Sequence, residues 1–198
     1  MKLAVIMSGF PRRSETFALN ELIALEEAGV LAAVFATKPG DGSAHPGVER
    51  IAHRVHMLAA GTADAQAAQV VDALADIPVT GIHAYFAHHP ADVASLAAQT
   101  LGCRWGFSTH ALDARKVPAP QLADRARAAA TIVACNRDVA AEFDAIGANV
   151  SLIPHGVDIA RFVPQPAVPQ NGTLTVLAVG RLVEKKGFPV LVTAAALT

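Results

Sequence analysis

Apolar residues arrive along this chain in short unbroken runs, separated by longer segments with helical spacing. Lys2 to Met7 is such a run, as expected of a parallel strand covered on both faces. Leu31 to Ala36 is a second. Val55 to Leu58, Val79 to Phe86 (interrupted by His83), Trp105 to Ser108, Thr131 to Cys135 and Val150 to Ile153 follow. Between them, Ser14 is placed to cap a helix with Glu15 in its first turn, and Ala18, Leu22 and Leu25 share one face. Gly29 is placed to end it. Ala63 to Ala75 predicts an alanine-rich helix, and Pro90 opens another that runs to Leu101 and stops at Gly102. Pro118 and Pro120 flank a helix through Leu122 to Ala130. Asn136 caps one through Ala145, closed by Gly147. Strand and helix therefore alternate, which predicts an α/β fold: a parallel sheet with helices on both faces. Such sheets bind ligands at the carboxyl ends of their strands, here Ser8-Gly9, His83 to His89, Thr109 to Asp113, and Asn136.

The pattern changes after Ile153. Prolines 164, 166 and 169 stiffen the following segment and exclude regular structure, which reads as an interdomain linker. Leu174 to Val179 then predicts a strand, Gly180 a tight turn, and Phe188 to Leu197 a helix opened by Gly187. One strand and one helix cannot bury both faces of the strand, so a second domain is expected to be present only in its first βα unit. The domains are accordingly 1–155, a linker over 156–172, and 173–198.

With 53% hydrophobic residues in 198, the chain has ample material for a core. A net charge of −1 offers no global field for nucleic acid, so no nucleic-acid partner is expected. The two cysteines, Cys103 and Cys135, lack metal-like spacing and predict reduced, buried thiols. The apolar N-terminus is too short for a signal sequence, and no run approaches a transmembrane length. A soluble, cytoplasmic protein is expected.

Arg181 and Lys186 lie in the basic loop between the last strand and its helix, where free backbone N–H groups add to the two cations. That combination suits a phosphate or pyrophosphate, though a solvated loop carries the same composition. Gly9, directly after the first strand, lets its backbone approach a ligand, but no further glycine completes a dinucleotide fingerprint. His83, His88, His89 and His110 invite a metal reading. No Asp or Glu completes a ligand set, and His88 and His89 would point apart on a strand, so no metal is expected. His110, in a Ser-Thr-His-Ala-x-Asp loop, could bond a sugar hydroxyl or pyrophosphate, or simply satisfy backbone. Glu15, Glu21, Asp113 and Asp158 are the carboxylates nearest strand ends or the linker. Serine-hydrolase, P-loop and zincin motifs do not occur.

Five segments in order add a resemblance. They are Phe10-Pro11-x-x-Ser14-Glu15-Thr16-Phe17-x-x-Asn20-Glu21, His83 to Ala87, Ser108-Thr109-His110-Ala111-x-Asp113, Ile153 to Asp158 with Arg161-Phe162, and Gly180 to Gly187. Together they resemble the group 1 (family 4) glycosyltransferases, and the first is similar to the colanic acid and exopolysaccharide branch. The resemblance implies a GT-B architecture of two Rossmann-like domains with the site between them. It also implies retaining transfer, of hexosyltransferase type, from a nucleotide-sugar donor to a saccharide or lipid-linked saccharide, with no cofactor and no metal. Arg181 and Lys186 would then bind the donor pyrophosphate and stabilise the leaving nucleotide. Gly9 would approach donor phosphate, and His110 the donor sugar near the reacting centre. Ser14, Glu15 and Asp113 would position the acceptor or the loops, and Gly156, Val157 and Asp158 would form the hinge. The role belongs to surface polysaccharide synthesis, which would bring peripheral contact with the inner membrane.

The family's E-x7-E element falls beyond Thr198, so the chain is expected to be incomplete and inactive alone. A non-catalytic binding module, self-associating through its orphan strand, is the rival expectation. Another GT-B enzyme, such as a nucleotide-sugar epimerase, is a third, disfavoured by the S-E-T-F and G-R-L-V-E-K-K-G pair.

Overall fold

The computed structural model describes residues 1–42, 45–110, 113–164 and 175–197. The chain divides into two units, Met1–Val157 and Asp158–Thr198. In the first, the elements run β1 (Leu3–Met7), α1 (Thr16–Glu27), β2 (Leu31–Ala36), β3 (Val55–Met57), α2 (Ala63–Ala73), β4 (Gly81–Tyr85) and α3 (His89–Leu101). Then follow β5 (Arg104–Thr109), α4 (Ala119–Ala128), β6 (Thr131–Ala134), α5 (Arg137–Asp144) and β7 (Ser151–Leu152). Every strand pair is parallel, in the order β3-β2-β1-β4-β5-β6-β7. The order reverses between β1 and β4, so the loops leaving these neighbours part and open a crevice.

Alternation along β1 sends Ala4 and Ile6 to one face of the sheet and Val5 and Met7 to the other. On the first face they join Phe35 and Phe107 with Val70 of α2, Ala94 of α3, Leu122 of α4 and Phe143 of α5. On the second they meet Val34 with Leu19 and Leu22 of α1. Four helices thus cover one face, and α1 covers the β1–β2 part of the other. Gly102 ends α3 in the left-handed conformation at φ 64°. Asn136 caps α5, its side-chain oxygen accepting the Val139 N–H at 2.9 Å.

Several expectations are corrected. Ser14 does not cap α1. The Glu15 N–H is taken by the Arg12 carbonyl at 3.1 Å, and that turn makes Glu15 the cap residue, with Ser14 exposed one position outside. Glu15 therefore precedes the first turn of α1 instead of lying in it. His88 and His89 sit at the start of α3, not on a strand. Cys103 and Cys135 are free but only half-buried.

In the second unit, residues 175–179 form no ladder, and Val176, Leu177 and Val179 are exposed, against the strand expected over 174–179. A lone strand has no neighbour to take its N–H and C=O groups. Leu174 and residues 165–172 of the expected linker lie outside the described residues. The helix expected after Gly187 forms as α6 (Phe188–Ala195), preceded by a 3-10 turn over Glu184–Lys186.

Candidate functional site

His110 follows β5 directly, at the carboxyl edge of the sheet beside the β1–β4 crevice. Its backbone N–H donates to Oδ1 of Asp113. Oδ2 of the same carboxylate accepts the Ala87 N–H at 3.1 Å. One buried side chain therefore ties the loop after β4 to the loop after β5. Burial pushes the Asp113 carboxyl above its usual range, against the pull of those backbone N–H groups.

The His110 ring lies among other rings: Phe17 at 4.7 Å between centroids, His155 at 4.9 Å, Phe86 at 5.1 Å and Tyr85 at 5.8 Å. Burial, with His155 and His83 adding to it, lowers its pKa to about 3. It is a neutral imidazole at pH 7. Its Nδ1 is buried with no hydrogen-bond partner among the described residues. Leaving such an atom unpaired costs about 1–3 kcal/mol, which a ligand hydroxyl would recover. Burial lowers His83 to about 4 as well.

Two clefts share His110. One, of about 310 Å³, is lined also by Ser8, Arg12, Glu15, Phe86, His88, Asp113 and Lys116. The other, of about 170 Å³, opens on the sheet face across β4 to β7, where His83, Ser108 and Val133 point towards Glu21 and His155. In the larger cleft, Glu15 Oε1 accepts from Arg12 Nη1 at 3.4 Å, while its Oε2 is buried without a partner. Burial raises the Glu15 pKa, with Arg12 opposing. Phe86 adopts a left-handed backbone at φ 83°, rare for an aromatic residue. It is held there by its N–H to the Ser108 carbonyl at 2.9 Å and by its ring against His88 at 5.5 Å. Strain of that kind, about 1–3 kcal/mol, gathers at functional sites.

Gly9 is buried beside Ser8. A Cβ there would stand 2.9 Å from the Arg12 guanidinium and from the Pro39 carbonyl oxygen, so the bare backbone is what lets Arg12 fold over the β1 loop. Gly9, Glu15, His110 and Asp113 thus come together at one edge of the sheet, and exposed Ser14 stands outside the cleft lining. Gly156 and Val157 are exposed at the end of the first unit. Asp158 begins the second, its Oδ1 accepting the Ala160 N–H at 3.1 Å. In the second unit Arg181 and Lys186 are exposed, without an ion-pair partner among the described residues. Gly187 then turns the chain at φ 67° into α6.

Sequence reasoning did not single out Arg12, Tyr85, His88 or Lys116 as site residues, nor the bond between Glu21 and His155. The one available signal was that Glu21 and His155 each belong to a quoted segment. Among the described residues, no group of three His, Cys, Asp or Glu is arranged to hold a metal ion. None of their helices is long and apolar enough to cross a membrane.

The all-parallel sheet, its reversal at β1–β4 and the clefts at the strand ends define a Rossmann-like α/β protein. No family model matches the chain, and no curated protein matches it in sequence. Among solved structures it is similar to HepE of Anabaena in complex with UDP-glucose, at 15% identity and a TM-score of 0.61, over 84% of this chain and 47% of that one. It is also similar to Acinetobacter baumannii MurG, at 12% identity and a TM-score of 0.47, over 70% of this chain and 42% of that one. The chain therefore spans less than half the length of either. The HepE likeness shows the fold, a Rossmann-like unit of the GT-B type.

Proposed function

We propose that this chain is the N-terminal portion of a GT-B glycosyltransferase, retaining and of hexosyltransferase type, serving bacterial surface polysaccharide assembly from a nucleotide-sugar donor. The observation that carries the reading is a neutral His110, with an unpaired buried Nδ1, on the wall between two clefts of a GT-B-type fold. HepE, with the same fold, was solved with UDP-glucose, which supports a nucleotide-sugar as donor.

In this reading residues 1–155 are the acceptor-side domain, 156–172 the linker with its hinge at Gly156, Val157 and Asp158, and 173–198 the start of the donor domain. Arg181 and Lys186 hold the donor pyrophosphate and stabilise the charge that builds on the departing phosphate, so the chemistry needs no metal. His110 contacts the donor sugar, and Gly9 brings backbone near donor phosphate. Asp113 fixes the His110 loop, and Glu15 faces the acceptor. The protein works in the cytoplasm, peripheral to the inner membrane when its acceptor is lipid-linked.

Calorimetry of the chain with UDP- and GDP-sugars is the test. A nucleotide-sugar should bind, and Arg181→Ala with Lys186→Ala should weaken it at least about tenfold, as for charge-assisted contacts to phosphate. Unchanged binding in that double variant would remove the role given to the loop, and no binding of any nucleotide-sugar would remove the donor reading.

A second reading has one observation in its favour. Val176, Leu177, Val179, Val190 and Val192 of the second unit are exposed, as a surface that associates would be. Sedimentation showing a monomer at all concentrations would dismiss it.

A further inference from the structure

The larger cleft carries more cationic charge than its internal pairs use. Arg12 is matched by Glu15. Asp113 spends both carboxylate oxygens on backbone N–H groups. Lys116, on the cleft wall, has no ion-pair partner among the described residues, and neither does Lys38. Both lysines lie close enough to His88 to disfavour its protonation, after burial has done most of that work. The same wall presents two buried polar atoms without partners, Glu15 Oε2 and His110 Nδ1. The cleft thus offers unspent positive charge at one place and hydroxyl-binding atoms at another. The smaller cavity differs: no Lys or Arg lines it, and Glu21 gives it a carboxylate.

We propose that the cleft between Arg12, Glu15, His110 and Lys116 takes an acceptor sugar that carries a phosphate. The phosphate meets Lys116, with Arg12 and Lys38 adding to the field. The ring hydroxyls bond Glu15 Oε2 and His110 Nδ1. At about 310 Å³ the cleft sits at the lower end of ligand pockets, suited to one ring and its phosphate. This inference rests on the transferase reading for the word acceptor, and adds to it the chemical class of that acceptor. The phosphate could be a free monoester or the diester of a lipid-linked sugar.

Saturation-transfer NMR on the full chain tests it, with α-glucose 1-phosphate, methyl α-glucoside and inorganic phosphate as probes. Glucose 1-phosphate should bind at least about tenfold tighter than either of the others, since only it engages both halves of the cleft. Lys116→Met, an exposed change that leaves the core intact, should weaken glucose 1-phosphate about tenfold and leave methyl glucoside unchanged. Methyl glucoside binding as tightly as glucose 1-phosphate, or no effect of Lys116→Met, overturns the proposal. So does displacement of glucose 1-phosphate by UDP, because the anion site would then belong to the donor. Decyl glucosyl phosphate separates the two sources: tighter binding than glucose 1-phosphate marks a lipid-linked acceptor, and equal binding a soluble one. If no nucleotide binds the chain at all, the donor reading fails, while the glucose 1-phosphate titration still decides this one.

Discussion

Glu21 and His155 are separated by 134 positions, yet His155 Nδ1 donates to Glu21 Oε1 at 3.3 Å. The other oxygen of Glu21 accepts the Tyr85 hydroxyl. Helix α1, the end of β4 and the segment leaving β7 therefore meet on one carboxylate, with Phe17 stacked on His155 at 4.1 Å between centroids. Removing the carboxylate strands a mostly buried phenol. Glu21→Ala should destabilise the first unit by about 1–3 kcal/mol, and Glu21→Gln, which keeps an acceptor for Tyr85, by less. Urea unfolding of the two variants checks the order.

Asp113 offers a sharper case, because both its oxygens receive backbone N–H groups. Asn in its place keeps one acceptor and turns the other into a donor facing a donor. Asp113→Asn should cost about 1–3 kcal/mol. It should also shift the amide resonances of Ala87 and His110 together, which a loss of charge far from the loops would not do. Unmoved Ala87 and His110 signals would show that the carboxylate does not join the loops.

Acid should unfold this protein through its histidines. Burial holds His83 and His88 to about 4 and His110 to about 3. In the unfolded chain each titrates near ~6.5, so between that pH and about 4 the unfolded state binds more protons, and stability falls as pH falls. Glu15 and Asp113, raised by burial, act with the opposite sign, being relieved by protonation, but at the acid end of the window. The melting temperature should drop from pH 7 to pH 5, and His110→Gln should flatten that slope. A melting temperature equal at both pH values would contradict the buried neutral rings.

Two glycines of the β1 and β2 loops should respond differently to alanine. At Gly40 an added Cβ would lie 1.7 Å from the Pro11 carbonyl oxygen, which is backbone and cannot swing away. At Gly9 two of the three nearest atoms, at 2.9 Å, belong to the Arg12 side chain. Gly40→Ala should cost about 3 kcal/mol or more, and Gly9→Ala about 1–2, by the usual range for overpacking. Thermal melts of both variants measure the difference.

The strands of the first unit were legible because each is a continuous apolar run covered on both faces, a local property of the chain. Helix ends at Gly102 and Asn136 were legible for the same reason: the left-handed turn and the cap are set by one residue. Ser14 misled because a carbonyl three residues before Glu15 took the Glu15 N–H, a choice decided by how the β1 loop folds. The expected strand over 174–179 has the right residues, but a strand exists only with a neighbour, and the described residues provide none.

The site divides in the same way. Sequence order alone placed Gly9, Glu15, His110 and Asp113 near strand ends, since alternating strand and helix puts every such loop at one edge of a parallel sheet. What it could not place is who touches whom across that edge. The pairing of β1 with β4, and of β4 with β5, brings Arg12 and Lys116 to the same cleft as His110, and closes His155 onto Glu21. Charge left unspent, an imidazole held neutral and a carboxylate shared between two loops are properties of distance and burial, and those arise only when the sheet has formed.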